Sequence, residues 1–378
     1  MLNRARLPLS VLACAACLLA APPDRKKIDA QVKAITKSAI LIDTHNDIPS
    51  FTVDGADIGN APKNETDIPR LKQGGVGAIF FSVYVASKYV EGNHSANRAL
   101  QMIDTVQHDI INRYPDTFQA AFTADDIVEA HKRHKVAALM GLEGGHAIED
   151  SPRLLRDYYR LGVRYMTLTH TNTNNWADSS GDMKKPEVQH HNGLTDSGKD
   201  IIREMNRLGM LIDISHVADK TFYDALEVSQ APLLASHSSA RAVTDVPRNM
   251  TDDMIRALAK KGGVIQVNFY CNFINSTAAQ APENTPVHAY LADVVAHIDH
   301  IRQVAGIDAL GIGSDFDGIE CAPEGLEDVS KFPSLTRALL EKGYTPADIK
   351  KIYGGNTLRL MRQVEKVAAR LKAERGSA

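Results

Sequence analysis

The sequence predicts a closed (β/α)8 barrel of the TIM type, followed by extra helices at the C-terminal end. Short apolar runs alternate with longer amphipathic stretches through most of the chain, which is typical of repeated strand–helix units. A chain of 378 residues is long enough for one such barrel with insertions. The eight predicted strands lie near Ala39–Asp43, Ala78–Val83, Val136–Leu142, Tyr165–Leu168, Leu211–Ile214, Leu233–Ala235, Val264–Asn268 and Leu310–Ile312.

Amphipathic stretches between these runs predict the helices of the barrel. Several begin at a capping residue or an early proline and end near a glycine, as Ser151-Pro152 and Leu208-Gly209 show. The predicted helices are Ser95–Asn112, Thr123–Arg133, Pro152–Leu161, Thr195–Leu208, Lys220–Val228, Asp252–Lys261 and His288–Val304, with Leu335–Lys342, Pro346–Tyr353 and Thr357–Lys372 after the last strand.

The N-terminus has the composition of a targeting segment. Arg4 and Arg6 precede an apolar run from Leu7 to Ala21, which predicts a signal peptide over residues 1–21. The remaining residues, 22–378, would form one barrel domain. Because of the signal peptide, we expect export to the periplasm or secretion. A buried helix and an uncleaved anchor are the alternatives, and Cys14 or Cys17 would carry a lipid in a third. Membrane attachment is expected only in those anchored forms.

Composition and charge limit the kinds of partner that the protein is expected to bind. A net charge of −3 without a basic stripe argues against nucleic acid or an anionic membrane surface as the main partner. The polar C-terminal residues 374–378 contain no lipid-anchor signal. Cys271 and Cys321 could pair in an oxidising compartment, although two cysteines alone do not establish a bond. The oligomeric state stays open, and a homodimer is one of the options.

Polar residues with metal-binding side chains follow the predicted strands. Because the C-terminal ends of the strands meet at one mouth of a barrel, residues distant in sequence become neighbours there. His45 and Asp47 are two positions apart and would lie on one side of an extended strand. The other members of this set are Glu143 after strand 3, His170 after strand 4, His216 after strand 5, His237 after strand 6 and Asp315 after strand 8.

Three imidazoles and two carboxylates among these residues can hold two divalent ions with one carboxylate bridging. Zinc suits such ligands, while manganese and cobalt also fit. Two ions about 3.5–4 Å apart can lower the pKa of a shared water and polarise a carbonyl, which predicts hydrolysis. Taken singly, each residue also has a purely structural interpretation. Each histidine could be a hydrogen-bonded structural imidazole, Glu143 could cap a helix or turn, and Asp315 could be a turn residue.

Other side chains could surround a substrate. Arg248 could bind a carboxylate, or could be an exposed surface arginine, and His170 could polarise a carbonyl or bind an oxyanion. Trp176 and Tyr270 could line a side-chain pocket, although core packing is the commoner role of such rings. We expect His146, His190 and His191 to be solvent-exposed loop residues without a role.

Ordered motifs over nearly the whole chain, from about Ile40 to Leu360, resemble the membrane dipeptidase (renal dipeptidase) family of zinc peptidases. They are Asp43-Thr44-His45-Asn46-Asp47, Thr66-Asp67-Ile68-Pro69-Arg70-Leu71, Gly141-Leu142-Glu143-Gly144-Gly145, Leu168-Thr169-His170-Thr171, Ile214-Ser215-His216, Ser236-His237-Ser238-Ser239-Ala240, Arg248-Asn249 and Gly313-Ser314-Asp315-Phe316-Asp317-Gly318.

The resemblance implies a barrel with two zinc ions that hydrolyses dipeptides, including those with a C-terminal D-residue, through a hydroxide bridging the metals. It implies that His45 and Asp47 bind one ion, that His216 and His237 bind the other, and that Glu143 bridges them. His170 would then bind the substrate or intermediate oxygen, Arg248 the free carboxylate of the dipeptide, and Tyr270 the substrate pocket, while Asp315 would move the proton.

Two other functions are weighed against this one. A hydrolase of β-lactams, lactones or other cyclic amides would use the same metal site on a different substrate. A metal-stabilised binding protein without turnover would have no evident use for the proton-transferring Asp315. Asn172 also stands where animal relatives often have a disulfide cysteine, and those relatives usually carry a C-terminal lipid-anchor signal; both departures favour a bacterial exported enzyme.

Overall fold

The strands form a closed parallel barrel in the computed structural model, which describes residues 25–282 and 285–376. Eight strands make the ring in the order β2-β1-β9-β8-β7-β6-β5-β4, and pairing between β2 and β4 closes it. The predicted fold class is thereby confirmed. The strands are β1 Leu41–Asn46, β2 Val76–Tyr84, β3 Phe118–Ala120, β4 Val136–Glu143, β5 Val163–Thr167, β6 Leu211–Asp213, β7 Leu234–Ala235, β8 Val264–Val267 and β9 Leu310–Ile312.

One strand lies outside the ring and was not predicted. β3 pairs in parallel with the first residues of β4, from Phe118 opposite Val136 to Ala120 opposite Ala138. β5 pairs with β4 only from Met140 onward, so β3 extends the same edge of β4 below β5. The prediction of eight strands is therefore correct for the barrel and wrong for the described residues as a whole, which contain nine.

Fifteen helices are present in the described part of the chain. Every predicted helix is found. The predicted helix Ser95–Asn112 divides into α4 and the π-helical segment Val106–Asn112, and the others agree within a few residues at their ends, whereas α1, α2, α3, α10 and α11 were not predicted. They are α1 Arg25–Ser38, α2 Pro49–Thr52, α3 Ile68–Gly74, α4 Ser95–Thr105, α5 Ala124–Lys132, α6 Pro152–Arg160, α7 Asp196–Leu208, α8 Asp219–Val228, α9 Asp252–Lys260, α10 Cys271–Ile274, α11 Ser276–Gln280, α12 Leu291–Ala305, α13 Phe332–Glu341, α14 Pro346–Lys350 and α15 Asn356–Gly376.

Alternating residues of the strands divide the core into two parts, because successive side chains of a strand point to opposite faces. Phe81 and Met140 belong to the cluster that packs against the surrounding helices. Phe80 and Leu139 belong to the cluster inside the barrel, which also takes in Met361 of α15. The C-terminal helix therefore covers the end of the barrel opposite the strand ends that carry the polar residues.

A disulfide joins the segments that follow β8 and β9. Cys271 and Cys321 are bonded, with their Cα atoms 5.6 Å apart, and the Cys271 backbone N–H donates to the Cys321 carbonyl at 3.1 Å. The sequence left this pairing open. No helix within residues 25–282 and 285–376 is long and apolar enough to cross a membrane. The predicted signal peptide over residues 1–21 lies outside the described residues.

Candidate metal centre

The barrel mouth collects the polar residues that the sequence singled out. β1 contains His45 and β4 ends at Glu143, while the remaining residues lie in the loops that follow their strands. A cavity of about 550 Å³ opens above them. The predicted residues that line it are Asp47, Glu143, His170, His216, Arg248, Tyr270 and Asp315. His45 and His237 lie beneath its floor, at 0% and 1% exposure.

Glu143 stands between two pairs of side chains that could bind metal ions. Its Oε2 is 3.4 Å from His45 Nε2, and its Oε1 is 3.0 Å from His216 Nε2 and 3.4 Å from His237 Nε2. Asp47 Oδ2 lies 3.2 Å from His45 Nε2. On the other side, the Nε2 atoms of His216 and His237 are 2.9 Å apart. The single carboxylate thus joins a His–Asp pair to a His–His pair.

These atoms fit a transition-metal centre. Ligands held at 2.0–2.1 Å around a tetrahedral ion are separated by roughly 3.3 Å, close to the spacings around Glu143. His45 Nε2 is buried without a hydrogen-bond partner, an arrangement that is costly unless a ligand completes it. Three overlapping trios of side chains at the mouth have ligand atoms within 4.8 Å of one another, and the trio of His45, Asp47 and Glu143 is one of them.

The protonation states of Glu143, His216 and His237 also suit metal binding. Burial alone would raise the pKa of Glu143, but the neighbouring imidazoles of His45, His170, His216 and His237 hold it well below its usual value. Burial lowers the pKa of His216 and His237 well below the usual imidazole value. A charged carboxylate and neutral imidazoles are the forms that bind metal ions. The pKa of His45 is raised instead, because Tyr165, Glu143 and Asp47 outweigh the effect of burial, so this ring would lose a proton when it binds a metal ion.

Asp315 and His170 complete the floor. Burial, reinforced by Asp47 and Glu143, raises the pKa of Asp315 well above that of an ordinary carboxyl. Asn268 Nδ2 donates to Asp315 Oδ2 at 2.7 Å, while Oδ1 lies 3.8 Å from His45 Nε2. His170 Nε2 is 3.8 Å from Glu143 Oε1, and burial lowers the pKa of its ring.

The backbone is strained at two of these positions. His216 and Asp315 each have φ of 67°, a left-handed conformation that non-glycine residues adopt at a cost of about 1–3 kcal/mol. Strain of this kind persists where the surrounding structure fixes a side chain in place. The two loops therefore turn sharply to aim His216 and Asp315 into the mouth.

Arg248 lies on the cavity wall and is only partly exposed. Its Nη2 donates to the His237 carbonyl at 3.1 Å, and its guanidinium stacks over the Phe273 ring at 5.1 Å. Arg248 Nε is buried without a hydrogen-bond partner. The alternative of an exposed surface arginine is therefore wrong, and the guanidinium faces the same cavity as Tyr270.

A sequence model described as membrane dipeptidase (peptidase family M19) matches residues 29–375. The chain belongs to the membrane dipeptidase family. Among curated relatives of this dipeptidase family, dipeptidase verJ of Clonostachys rogersoniana is 39% identical over 348 residues, covering 88% of this chain and 86% of verJ. Dipeptidase tcpJ of Claviceps purpurea is 41% identical over 313 residues, covering 81% of this chain and 71% of tcpJ.

Solved structures of similar proteins share the fold. A metallopeptidase from Rhodobacter sphaeroides, bound to a phosphinate mimic of the dipeptide L-Ala-D-Ala, has a TM-score of 0.76 and 26% identity, covering 86% of this chain and 100% of that one. The probable dipeptidase PvdM from Pseudomonas aeruginosa has a TM-score of 0.80 and 22% identity, covering 91% and 100%. The family match and the dipeptidase relatives establish this chain as a metallopeptidase of the membrane dipeptidase type.

Some residues of the dipeptidase lie elsewhere than the sequence predicted. His146 was expected in solvent but is 6% exposed, because it lies in the 3-10 turn Gly145–Ile148, whose four residues are all buried. His190 and His191 are half-buried, and His191 Nε2 contacts the Asn174 carbonyl at 2.8 Å. Trp176 is 1% exposed, so its ring packs in the core.

Sequence reasoning also missed the partners behind the imidazoles. Tyr165 OH lies 2.7 Å from His45 Nδ1, and Ser236 Oγ lies 2.8 Å from His237 Nδ1. The Tyr165 ring has room only because residue 141 is glycine, since a Cβ there would lie 1.9 Å from the ring. Nothing in the spacing of these residues indicates such contacts, which depend on strand register.

Proposed function

We propose that this chain is an exported zinc dipeptidase that hydrolyses dipeptides, including those with a C-terminal D-residue. The observation that carries the proposal is the position of Glu143 between two pairs of ligands, with the guanidinium of Arg248 facing the same cavity. The family and the dipeptidase relatives support the reaction class.

In this proposal five side chains at the mouth would hold two zinc ions: His45 and Asp47 on one side of Glu143, His216 and His237 on the other, and Glu143 itself. Such a pair would supply a water of lowered pKa and polarise the carbonyl that is attacked. The neutral imidazoles and the charged Glu143 support this assignment, as does the unpartnered His45 Nε2.

The remaining polar residues bind the substrate and move protons. Arg248 binds the free carboxylate of the dipeptide through the two parallel N–H groups of its planar guanidinium. Because this carboxylate must lie close to the scissile bond, the substrate is limited to two residues. His170 donates a hydrogen bond to the carbonyl oxygen as negative charge develops there. Asp315 Oδ1 takes a proton from the attacking water and delivers it to the departing amine, while Asn268 holds Oδ2 in place.

Two observations support the finer details. The Rhodobacter metallopeptidase was crystallised with a mimic of L-Ala-D-Ala, which supports acceptance of a D-residue at the C-terminal position. The Cys271–Cys321 disulfide supports an oxidising compartment, in agreement with a signal peptide over residues 1–21. Cell fractionation of the full chain and of a form lacking residues 1–21 tests export, because the shortened form should stay in the cytoplasm.

Metal removal combined with a dipeptide panel tests the proposed reaction. Chelation should abolish hydrolysis of L,L and L,D dipeptides, and Zn²⁺ should restore it together with two bound ions per chain. Full activity of the metal-free protein would contradict the proposal. Absence of turnover with zinc bound would favour a binding protein.

Arg248→Ala separates peptides from cyclic amides as substrates. A lost contact between guanidinium and carboxylate costs about 2–5 kcal/mol when the partner charge is buried, so KM for dipeptides should rise steeply. Hydrolysis of a neutral amide should be unaffected, because it has no carboxylate to lose. Equal losses on both substrates would contradict the role of Arg248 in carboxylate binding.

A further inference from the structure

A buried carboxylate lies behind the metal ligands, at the end of β6. Asp213 is 0% exposed and accepts four hydrogen bonds from the neighbouring strand ends. The donors are Thr167 Oγ1 at 2.6 Å, Ser236 Oγ at 2.6 Å, Ser236 N at 2.8 Å and Ser215 N at 3.1 Å. Four donors around one carboxyl group are the environment of an ionised carboxylate, which can only accept.

The Ser236 hydroxyl connects this carboxylate to His237. Its Oγ lies 2.6 Å from Asp213 Oδ2 and 2.8 Å from His237 Nδ1. A hydroxyl has one proton, and the carboxylate has none to give, so Ser236 donates to Asp213. The short contact with a charged acceptor outweighs the 3.4 Å contact between Ser236 Oγ and Ser215 Oγ.

The direction of that bond decides the tautomer of His237. Since the Ser236 proton points to Asp213, Nδ1 of His237 must carry its own proton and donate it to Ser236 Oγ. The lone pair then lies on Nε2, the nitrogen that is 3.4 Å from Glu143 Oε1. Only a nitrogen with a free lone pair can bind a metal ion.

His45 lacks an equivalent arrangement. Its Nδ1 faces the Tyr165 hydroxyl at 2.7 Å, and a phenol can either donate or accept. This contact fixes the orientation of the His45 ring without fixing its tautomer. The imidazoles of His237 and His45 therefore differ in how strongly the protein prepares them for a metal ion.

We propose that Asp213 is a positioning residue that acts through Ser236 to hold His237 in the tautomer that presents Nε2 to a metal ion. The inference rests on the proposed metal site and adds to it two residues that touch neither substrate nor metal. Partners of this kind behind a ligating histidine typically change metal affinity by 10–100-fold.

Asp213→Asn is the sharpest test, because it keeps the shape of the side chain and adds a donor. Where the new amide NH₂ donates to Ser236 Oγ, the Ser236 hydroxyl donates to His237 Nδ1 instead. His237 Nδ1 then carries the lone pair and Nε2 carries the proton, so Nε2 can no longer bind a metal ion. Ser236→Ala removes the acceptor for Nδ1–H and serves as a second variant should the first not fold. Thr167→Val is the matched control, because it removes a 2.6 Å bond to the same carboxylate oxygen and leaves Ser236 and His237 in place.

Zn²⁺ affinity of the full chain, measured by competition with a chelating indicator, is read together with the thermal midpoint of the metal-free protein. Asp213→Asn and Ser236→Ala should each bind zinc about 10–100-fold more weakly, whereas Thr167→Val should lower the midpoint of the metal-free protein and keep wild-type affinity. Wild-type affinity in Asp213→Asn or in Ser236→Ala would overturn the proposal, as would equal weakening in Thr167→Val. A wild-type chain that binds no zinc would overturn the proposed function, and this inference with it.

Discussion

Gly318 leaves no space for a side chain beside two carboxylates of the site. A Cβ at this position would lie 2.4 Å from Asp47 Oδ2 and 2.9 Å from Asp315 Oδ1, both too short for a real contact. Gly318→Ala must therefore displace one of the two carboxylates by several tenths of an ångström or more. Because a displacement near 1 Å can cost about 100-fold in rate, we expect kcat/KM on a dipeptide to fall by roughly 10–100-fold.

Gly355→Ala provides the control for this substitution. The nearest atom to a Cβ there is the Lys350 carbonyl oxygen at 3.3 Å, and residue 355 ends the π-helical turn Lys351–Gly355, which joins α14 to α15. The change is chemically the same and touches none of the carboxylates at the mouth. Similar activity in Gly318→Ala and Gly355→Ala would contradict the steric argument.

At the scale of elements, the Cys271–Cys321 bond ties together two segments of the cavity wall. Tyr270 and Glu320, which adjoin these cysteines, both line the cavity, and the bond closes a loop with a sequence separation of 50. Replacing both cysteines by alanine should lower the free energy of unfolding by about 2–4 kcal/mol and raise KM, since the wall loses its cross-link. Urea unfolding and dipeptide kinetics measure the two effects.

A reducing agent tests the same bond without mutation. The reduced wild-type chain should approach the double variant in both stability and KM, and the reductant should have no effect on the double variant. A wild-type chain whose unfolding is insensitive to complete reduction, verified by thiol counting, would show that the bond contributes no stability.

The elements that could be predicted from sequence are those with a strong local pattern. Eight barrel strands appear as apolar runs because they are buried on both faces. β3, Phe118-Gln119-Ala120, has a polar residue at its centre and so lacks the apolar run that marks the equally short β6, β7 and β9. α10 and α11, with four and five residues, are too short to show a helical period. α1 was missed although its buried residues Ile28, Val32 and Ile35 recur at helical spacing.

The candidate site likewise has features that could be predicted from the sequence and features that could not. That the side chains of this site meet at one mouth could be predicted because each follows a strand of a barrel whose ends converge, so position along the chain was enough. The contacts behind them could not be predicted. Whether Ser236 meets Asp213 depends on which strand lies beside β6 and on the register of their pairing, which the sequence pattern leaves undetermined.

At the scale of the whole molecule, a buried histidine links stability to pH. His297 of α12 is 0% exposed; its Nδ1 accepts from Ala240 N at 3.0 Å and its Nε2 donates to the Ile274 carbonyl at 3.2 Å. Burial lowers the pKa of His297 from 6.5 to about 4. The folded chain therefore keeps this ring neutral at pH values where the unfolded chain protonates it.

The sign of the effect follows from proton binding. Between about pH 6.5 and pH 4 the unfolded state binds the additional proton, so the contribution of His297 is complete above pH 6.5 and is lost progressively as the pH falls through this window. At 1.36 kcal/mol per pKa unit, the loss approaches about 3 kcal/mol near pH 4. Other buried groups titrate in the same range, since burial raises the pKa of Asp43 to about 6, and the wild-type curve alone cannot isolate His297.

His297→Gln isolates this contribution. The glutamine amide can accept from Ala240 N and donate to the Ile274 carbonyl, yet it has no proton to bind in this range. The free energy of unfolding, measured by urea titration at intervals from pH 7.5 to pH 4.5, should decline less in His297→Gln than in the wild type. Because the other groups titrate alike in both chains, their difference should grow as the pH falls below 6.5, to roughly 2 kcal/mol at pH 4.5; a constant difference across the range would mean that His297 is protonated equally in the folded and unfolded chains.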